Sequence, residues 1–270
     1  MTTAPGTPHA PAGTPDAPVG APPAAAPAAR RVLAQAAFEA RMILRNGEQV
    51  LVTAIVPVLA LVGLVQGTFV ELDTGGASRV DFLAPGILAL AVMTASFTSQ
   101  AIATAFDRRN GVLRLMATTP LGRGGLLAGK VLGVLAVEAV QVVLIGAAAL
   151  ALGWRPDPAG LALALVGVVL GTGAFTALAL LVAGTLRAEA VLALANLLLL
   201  VLALGGGVVV PADRLPGPVA AVATWLPSGA LGDVLRGALV DGALPLVPVL
   251  VLAAWTVGLG ALTARLFRWH

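Results

Sequence analysis

The chain has 270 residues, is 59% hydrophobic and only 11% charged, and carries a formal net charge of +3; soluble domains carry about 25% charged residues. So few charges cannot cover a water-exposed fold, and the apolar runs reach the roughly 20 residues that cross a 30 Å hydrocarbon core. Cysteine is absent and the two histidines, His9 and His270, lie at the ends, which excludes disulfides and thiol chemistry and leaves no basis for a Cys- or His-built metal site.

Residues 1–29 form a Pro/Ala tail without apolar periodicity, expected to be disordered. It lacks the basic start and apolar core of a signal peptide. Residues 30–48 place Leu33, Ala36 or Ala37, Ala40, and Ile43 or Leu44 at helical spacing, with Glu39, Arg41 and Arg45 between them. That pattern predicts an amphipathic helix lying at the membrane interface. Residues 49–270 then read as a transmembrane domain with spans at about 50–69, 82–105, 127–150, 161–181, 191–210 and 246–262. Before the last span, Pro211, Pro216, Pro218, Pro227 and Pro245 cut an apolar stretch into pieces, of which 221–225 and 231–240 are the helical candidates. Each is too short to cross, so they are expected as re-entrant or interfacial helices. The fold class expected is all-α, a polytopic protein with six transmembrane helices.

Putting both termini inside places twelve basic residues on the inner side, namely Arg30, Arg31, Arg41, Arg45, Arg108, Arg109, Arg114, Arg123, Lys130, Arg187, Arg265 and Arg268. The outer side then holds four, Arg79, Arg155, Arg214 and Arg236, beside seven acids. Twelve against four is a strong positive-inside bias, and a basic inner face also suits anionic lipid.

Five of the sixteen Lys and Arg residues fall in 106–131, "FDRRNGVLRLMATTPLGRGGLLAGKV". Its end satisfies G-x-x-x-x-G-K through Gly124, Gly129 and Lys130, but Val131 stands where a phosphate-binding loop needs Ser or Thr for magnesium. No strand precedes it, as such a loop requires. The match is read as chance, the segment as a loop leading into span 3, and Lys130 as snorkelling toward lipid phosphates. Earlier in the segment Asp107, Arg108, Arg109 and Arg114 surround Val112, Leu113, Leu115 and Met116, closed by Pro120. This is a short helix with a charged and an apolar side, suited to docking on a soluble protein.

Within the spans, Glu138 is a deep carboxylate in span 3, which serves either a substrate or a hydrogen bond to Gln141 or a neighbouring span. Asn196 in span 5 poses the same choice. Ser96, Thr98, Ser99 and Gln100 make one part of span 2 polar, as pathway lining or as interhelical hydrogen-bond partners. Gly167 and Gly171 have a spacing that suits close helix contact.

The run "FLAPGILALAVMTASFTSQAIATAFDRRNGVLRLMATTPLGRGGLLAGKVLG" resembles the permease subunit of ABC-2 type exporters, most closely the daunorubicin-resistance-like drug-efflux permeases of bacteria. The resemblance rests on L-x-P-G at 83–86 opening span 2, the charged segment 107–114, T-P-L-x-R at 119–123, Gly129–Lys130, and "WLPSGALGDVLRGAL" at 225–239. It implies a six-span half-transporter in the bacterial plasma membrane that exports a drug-like, lipid or glycan compound. This chain would have no catalytic role and bind no cofactor; ATP and Mg²⁺ would sit on a separate ABC ATPase subunit docked at the cytoplasmic face. The segment from Phe106 to Met116 corresponds to the family's coupling helix, and two permease copies pair. Membrane lipid is a further partner, and no nucleic acid is expected. Two other classes stay open: an ion-coupled carrier, which normally shows internal repeats and several membrane acids, and an intramembrane lipid-modifying enzyme, for which HExxH and GxSxG are missing.

Overall fold

A computed structural model describes residues 26–67, 74 and 76–267. The expectations for residues 1–25, 68–73, 75 and 268–270, and for the side chain of Arg123, lie outside the described residues. Among those residues there are helices and no strand: α1 (Ala28–Arg45), α2 (Gly47–Val50), α3 (Val56–Gln66), α4 (Arg79–Met93), α5 (Gln100–Arg109), α6 (Val112–Ala117), α7 (Gly122–Ala151), α8 (Pro158–Thr185), α9 (Ala188–Gly205), α10 (Gly217–Ala223), α11 (Pro227–Leu239) and α12 (Leu246–Leu266). Six continuous stretches are long and apolar enough to span: Gly47–Gln66, Arg79–Arg109, α7, α8, α9 and α12. The protein is an all-α polytopic membrane protein.

The first two spans each contain a π-helical segment, Leu51–Ile55 between α2 and α3, and Thr94–Ser99 between α4 and α5. In the first, Pro57 has no N–H to donate to the carbonyl four residues earlier. That carbonyl, Thr53 O, accepts instead from Gln141 Nε2 of α7 at 2.5 Å. A proline in one span is thus matched by an amide in another, which is how polar backbone is satisfied in lipid.

Span 2 is the central helix, with 78% of its most apolar stretch buried against 22% for spans 1, 5 and 6. It starts at Arg79, where Ser78 accepts from the Asp81 N–H at 3.2 Å. The L-x-P-G motif therefore lies inside α4, with Pro85 an internal residue, and does not open the span. Gly86 has a packing role: a Cβ there would lie 3.0 Å from Val208 O.

Span 5 ends at Gly205, short of the expected 210. Gly206 and Gly207 turn the chain back, Gly207 with a φ of +77° that favours glycine. The Arg236 guanidinium of α11 donates to Gly207 O (2.6 Å) and Val208 O (2.8 Å) and contacts Asp233 Oδ1 at 3.0 Å. Burial pushes Arg236 below and Asp233 above their ordinary pKa values, and the contact between them opposes both shifts.

Helix α11 is longer than the expected 231–240 and buries eleven of its thirteen residues. It lies among α4, α8 and α12, and its thirteen residues reach about 20 Å at 1.5 Å per residue, too short to cross a 30 Å core. Glycines on α8 admit it: a Cβ at Gly167 would lie 2.7 Å from Val234 Cγ1, and one at Gly171 2.8 Å from Leu231 Cδ1. The other expected piece, 221–225, is helical only to Ala223, at the end of α10.

Candidate functional site

The bundle has two unlike ends. At one, Asp81, Asp157, Asp213, Asp233 and Asp241 gather near α10 and α11. At the other, α1, α6, the α8–α9 turn and the end of α12 meet, and most of the arginines collect there. Four side chains unite this basic end: Leu113 of α6, Leu126 of α7, Leu180 of α8 and Phe267 after α12 form one small apolar core.

Helix α6 begins after Gly111, whose φ of +79° breaks the run from α5. Leu113 is fully buried in the small core and Met116 packs on its rim. Arg114 and Leu115 face outward, and Leu115 is 72% exposed. Val112, Asp107 and Arg108 are half-buried, and Phe106 and Arg109 exposed. The structure therefore divides the sequence-predicted docking residues into two groups. Arg108 donates to Leu186 O, and Arg109 pairs with Glu189 at 2.7 Å with its ring neighbour Phe106 6.0 Å away. These arginines tie α5 to the α8–α9 turn of the same chain. Arg114 and Leu115 are the residues left facing outward on α6.

Asp107 belongs to a buried ion cluster. Lys130 Nζ lies 2.8 Å from Glu39 Oε1 of α1 and 3.9 Å from Asp107 Oδ2 of α5. Gln35 donates to the same Glu39 oxygen at 2.8 Å. The expectation that Lys130 snorkels toward lipid is overturned: its side chain is wholly buried, because α1 covers it. Nor is the segment leading to it a loop, since α7 is helical from Gly122 and carries Gly124, Gly129 and Lys130 in its first turns.

What lets α1 come so close is a glycine row on α7. A Cβ at Gly129 would sit 2.5 Å from Gln35 Cγ, and one at Gly133 2.7 Å from Glu39 Cβ. Gly125 continues the row, against Leu121 and Val32. Close backbone approach at small residues every four positions is a membrane packing device. Arg31 adds a bond to Pro120 O in the α6–α7 connection. Of the apolar positions expected on α1, Ala36 and Ile43 are buried but Leu33 is not, and Glu39, expected among the polar positions, is buried with them. Phe38 and Met42 are exposed.

The remaining candidates take separate places. Ser96 donates to Val92 O of its own helix at 2.5 Å. Gln100 is buried in span 2, and its Oε1 has no partner among the described residues. Gln141 serves Thr53, as described above. Glu138 Oε2 accepts from Thr172 of α8 at 2.5 Å. Asn196 donates to Leu192 O one turn back and is exposed on the outside of the bundle.

The sequence reading missed Glu39, Gln35, Thr172 and the glycine row. The row alone had a visible signal, glycines four apart leading to a lysine. Among the described residues no group of three or more His, Cys, Asp and Glu could hold a metal ion.

Comparison with curated proteins gives no match. The family model described as ABC-2 family transporter protein matches residues 65–266, which takes in five of the six spans, α6 and α11. With most of its length in that match and six spanning helices, the chain belongs to the ABC-2 transporter family, the membrane components of ABC transporters.

Proposed function

We propose that the chain is the permease subunit of an ATP-driven exporter, close to the drug-efflux type, with ATP and Mg²⁺ bound on a separate ABC ATPase subunit. The observation that carries this reading is the two-faced α6. Leu113 locks one side into a core shared with α7, α8 and the end of α12, while Arg114 and Leu115 stand out from the basic end. An exposed leucine beside an arginine, outside the spanning stretches, suits the apolar centre and polar rim of a protein interface.

A push on α6 reaches two further elements. Asp107 sits a few residues before it, and the Lys130 cluster joins Asp107 to α7 and α1. The basic end faces the cytoplasm of a bacterial cell, with both termini inside; the excess of arginines there supports this. Two copies pair, and the support is the row of exposed leucines on α9, including Leu197, Leu200 and Leu204, around Asn196. Ser96 and Gln100, in the central span, line the route of a hydrophobic or amphipathic compound, which is drug-like, lipid or glycan.

The test is co-expression with a cognate ABC ATPase, comparing the native chain with R114E/L115D. The double variant is expected to insert normally and to lose ATPase co-purification. Unchanged co-purification would overturn the reading.

A further inference from the structure

Between α7 and α8, on the half of the bundle toward the acidic end, lies a cleft of ≈ 1010 Å³. This is at the upper end of small-molecule sites, about 300–1,000 Å³. It is walled by aliphatic side chains of α7 and α8, with Leu88 and Val92 of α4 and Leu235 and Leu239 of α11 behind them. Exposed Val143, Leu150, Leu165 and Val169 border it, so it opens sideways from the bundle. Only two of its lining residues are ionisable, and they sit at opposite ends. Arg155 and the buried Trp154 stand at the acidic end. Glu138 stands at the deep end, about 18 Å from Leu150 along α7 at 1.5 Å per residue.

Glu138 is buried, and only half of its carboxyl group is used. Oε2 accepts from Thr172, whereas Oε1 has no partner among the described residues. A polar atom left without a partner in an apolar, water-poor site is costly. An alkyl chain from an ordinary lipid fills the cleft but leaves that oxygen unserved. A long molecule ending in a donor serves both.

We propose that this cleft is a lateral binding site for an elongated hydrophobic molecule that carries one hydrogen-bond donor, a hydroxyl or amine, at its buried end. The molecule enters from the bilayer between α7 and α8, and Glu138 Oε1 accepts from its donor. Trp154 and Arg155 close the cleft's end nearest the membrane surface, where aromatic and basic side chains are at home. The site is independent of the ATPase interface at the other end.

The test uses the purified full-length protein in phosphatidylcholine nanodiscs and two photoreactive probes. One is a diazirine-bearing long-chain alcohol, the other its methyl ether, and labelled peptides are mapped by mass spectrometry. The alcohol is expected to label 135–150 and 161–169, about five- to tenfold more than the ether, the worth of one hydrogen bond. E138L is expected to remove that preference and E138Q, which keeps an acceptor, to retain it. Thr172 still has Val168 O as acceptor at 2.7 Å, so E138L orphans no donor. Gly146 lines the cleft, and a Cβ placed there would meet nothing within 4 Å, so G146F is expected to fill the space and block labelling by both probes. Equal labelling by alcohol and ether, or labelling indifferent to G146F, would overturn the proposal. So would spontaneous crosslinking of V143C between two copies, since a second chain would then cover the cleft.

Discussion

Lys130 is fully buried yet ion-paired, and its energetics follow from its neighbours. A buried cation without its partners is costly, and removing one member of such a pair strands the rest, typically at about 3–5 kcal/mol. K130M should therefore destabilise the detergent-solubilised protein by about 3 kcal/mol in denaturant unfolding. E39L/K130M should recover much of the loss, because two apolar side chains leave less charge buried. A change under about 1 kcal/mol for K130M would show that the cluster is hydrated in solution. The Gln141–Thr53 bond supports a second cycle. Q141A removes the side-chain donor to Thr53 O and should cost about 1–3 kcal/mol. In a P57A background the restored N–H can serve that carbonyl, so Q141A should cost measurably less; equal costs would refute the pairing. At this scale the sequence was only partly legible. Glu138 and Gln141 announced themselves as polar groups inside apolar runs. Glu39 and Lys130 did not, because their pairing depends on where α1 lies, and nothing within either helix specifies that.

Helices were the most legible level, since six apolar runs of spanning length leave few alternatives. Their ends were less so. Span 2 starts earlier than its apolar run because Ser78 caps it. Span 5 stops early because Gly206 and Gly207 turn the chain and Arg236 takes the freed carbonyls. Hydropathy registers neither effect: the cap is polar, and residues 206–210 are as apolar as the helix before them. Helix α6 was legible as two-faced, but which arginines stay outside was not; Arg108 and Arg109 find partners about 80 residues away. L113A removes the buried anchor of α6. It should cost about 3 kcal/mol, in the range of large-to-small core changes, and speed tryptic cleavage after Arg114. Unaltered cleavage would mean that α6 is held by other contacts. G133L should displace α1, since even a Cβ would meet Glu39 Cβ at 2.7 Å. Faster proteolysis of α1 with the spans intact is the expected readout, and native-like protection would contradict the close seating.

Across the whole molecule, the proposed function sets a cytoplasmic drive at the basic end, a central span 2, and an acidic end covered by α11. These parts are joined by specific contacts: the Lys130 cluster links α1, α5 and α7, and α8 packs against α5, α11 and α12. On that proposal, motion imposed on α6 passes into several spans as a rigid-body shift. The chain has no cysteine, so a single introduced thiol reports one position of this subunit. The most direct test places that thiol at Leu115 in cells expressing the chain with a cognate ABC ATPase. L115C is expected to resist a membrane-impermeant maleimide added outside, to react in inside-out vesicles, and to crosslink to the ATPase there. Labelling of L115C from outside, or accessible L115C that never crosslinks to the ATPase, would contradict the account.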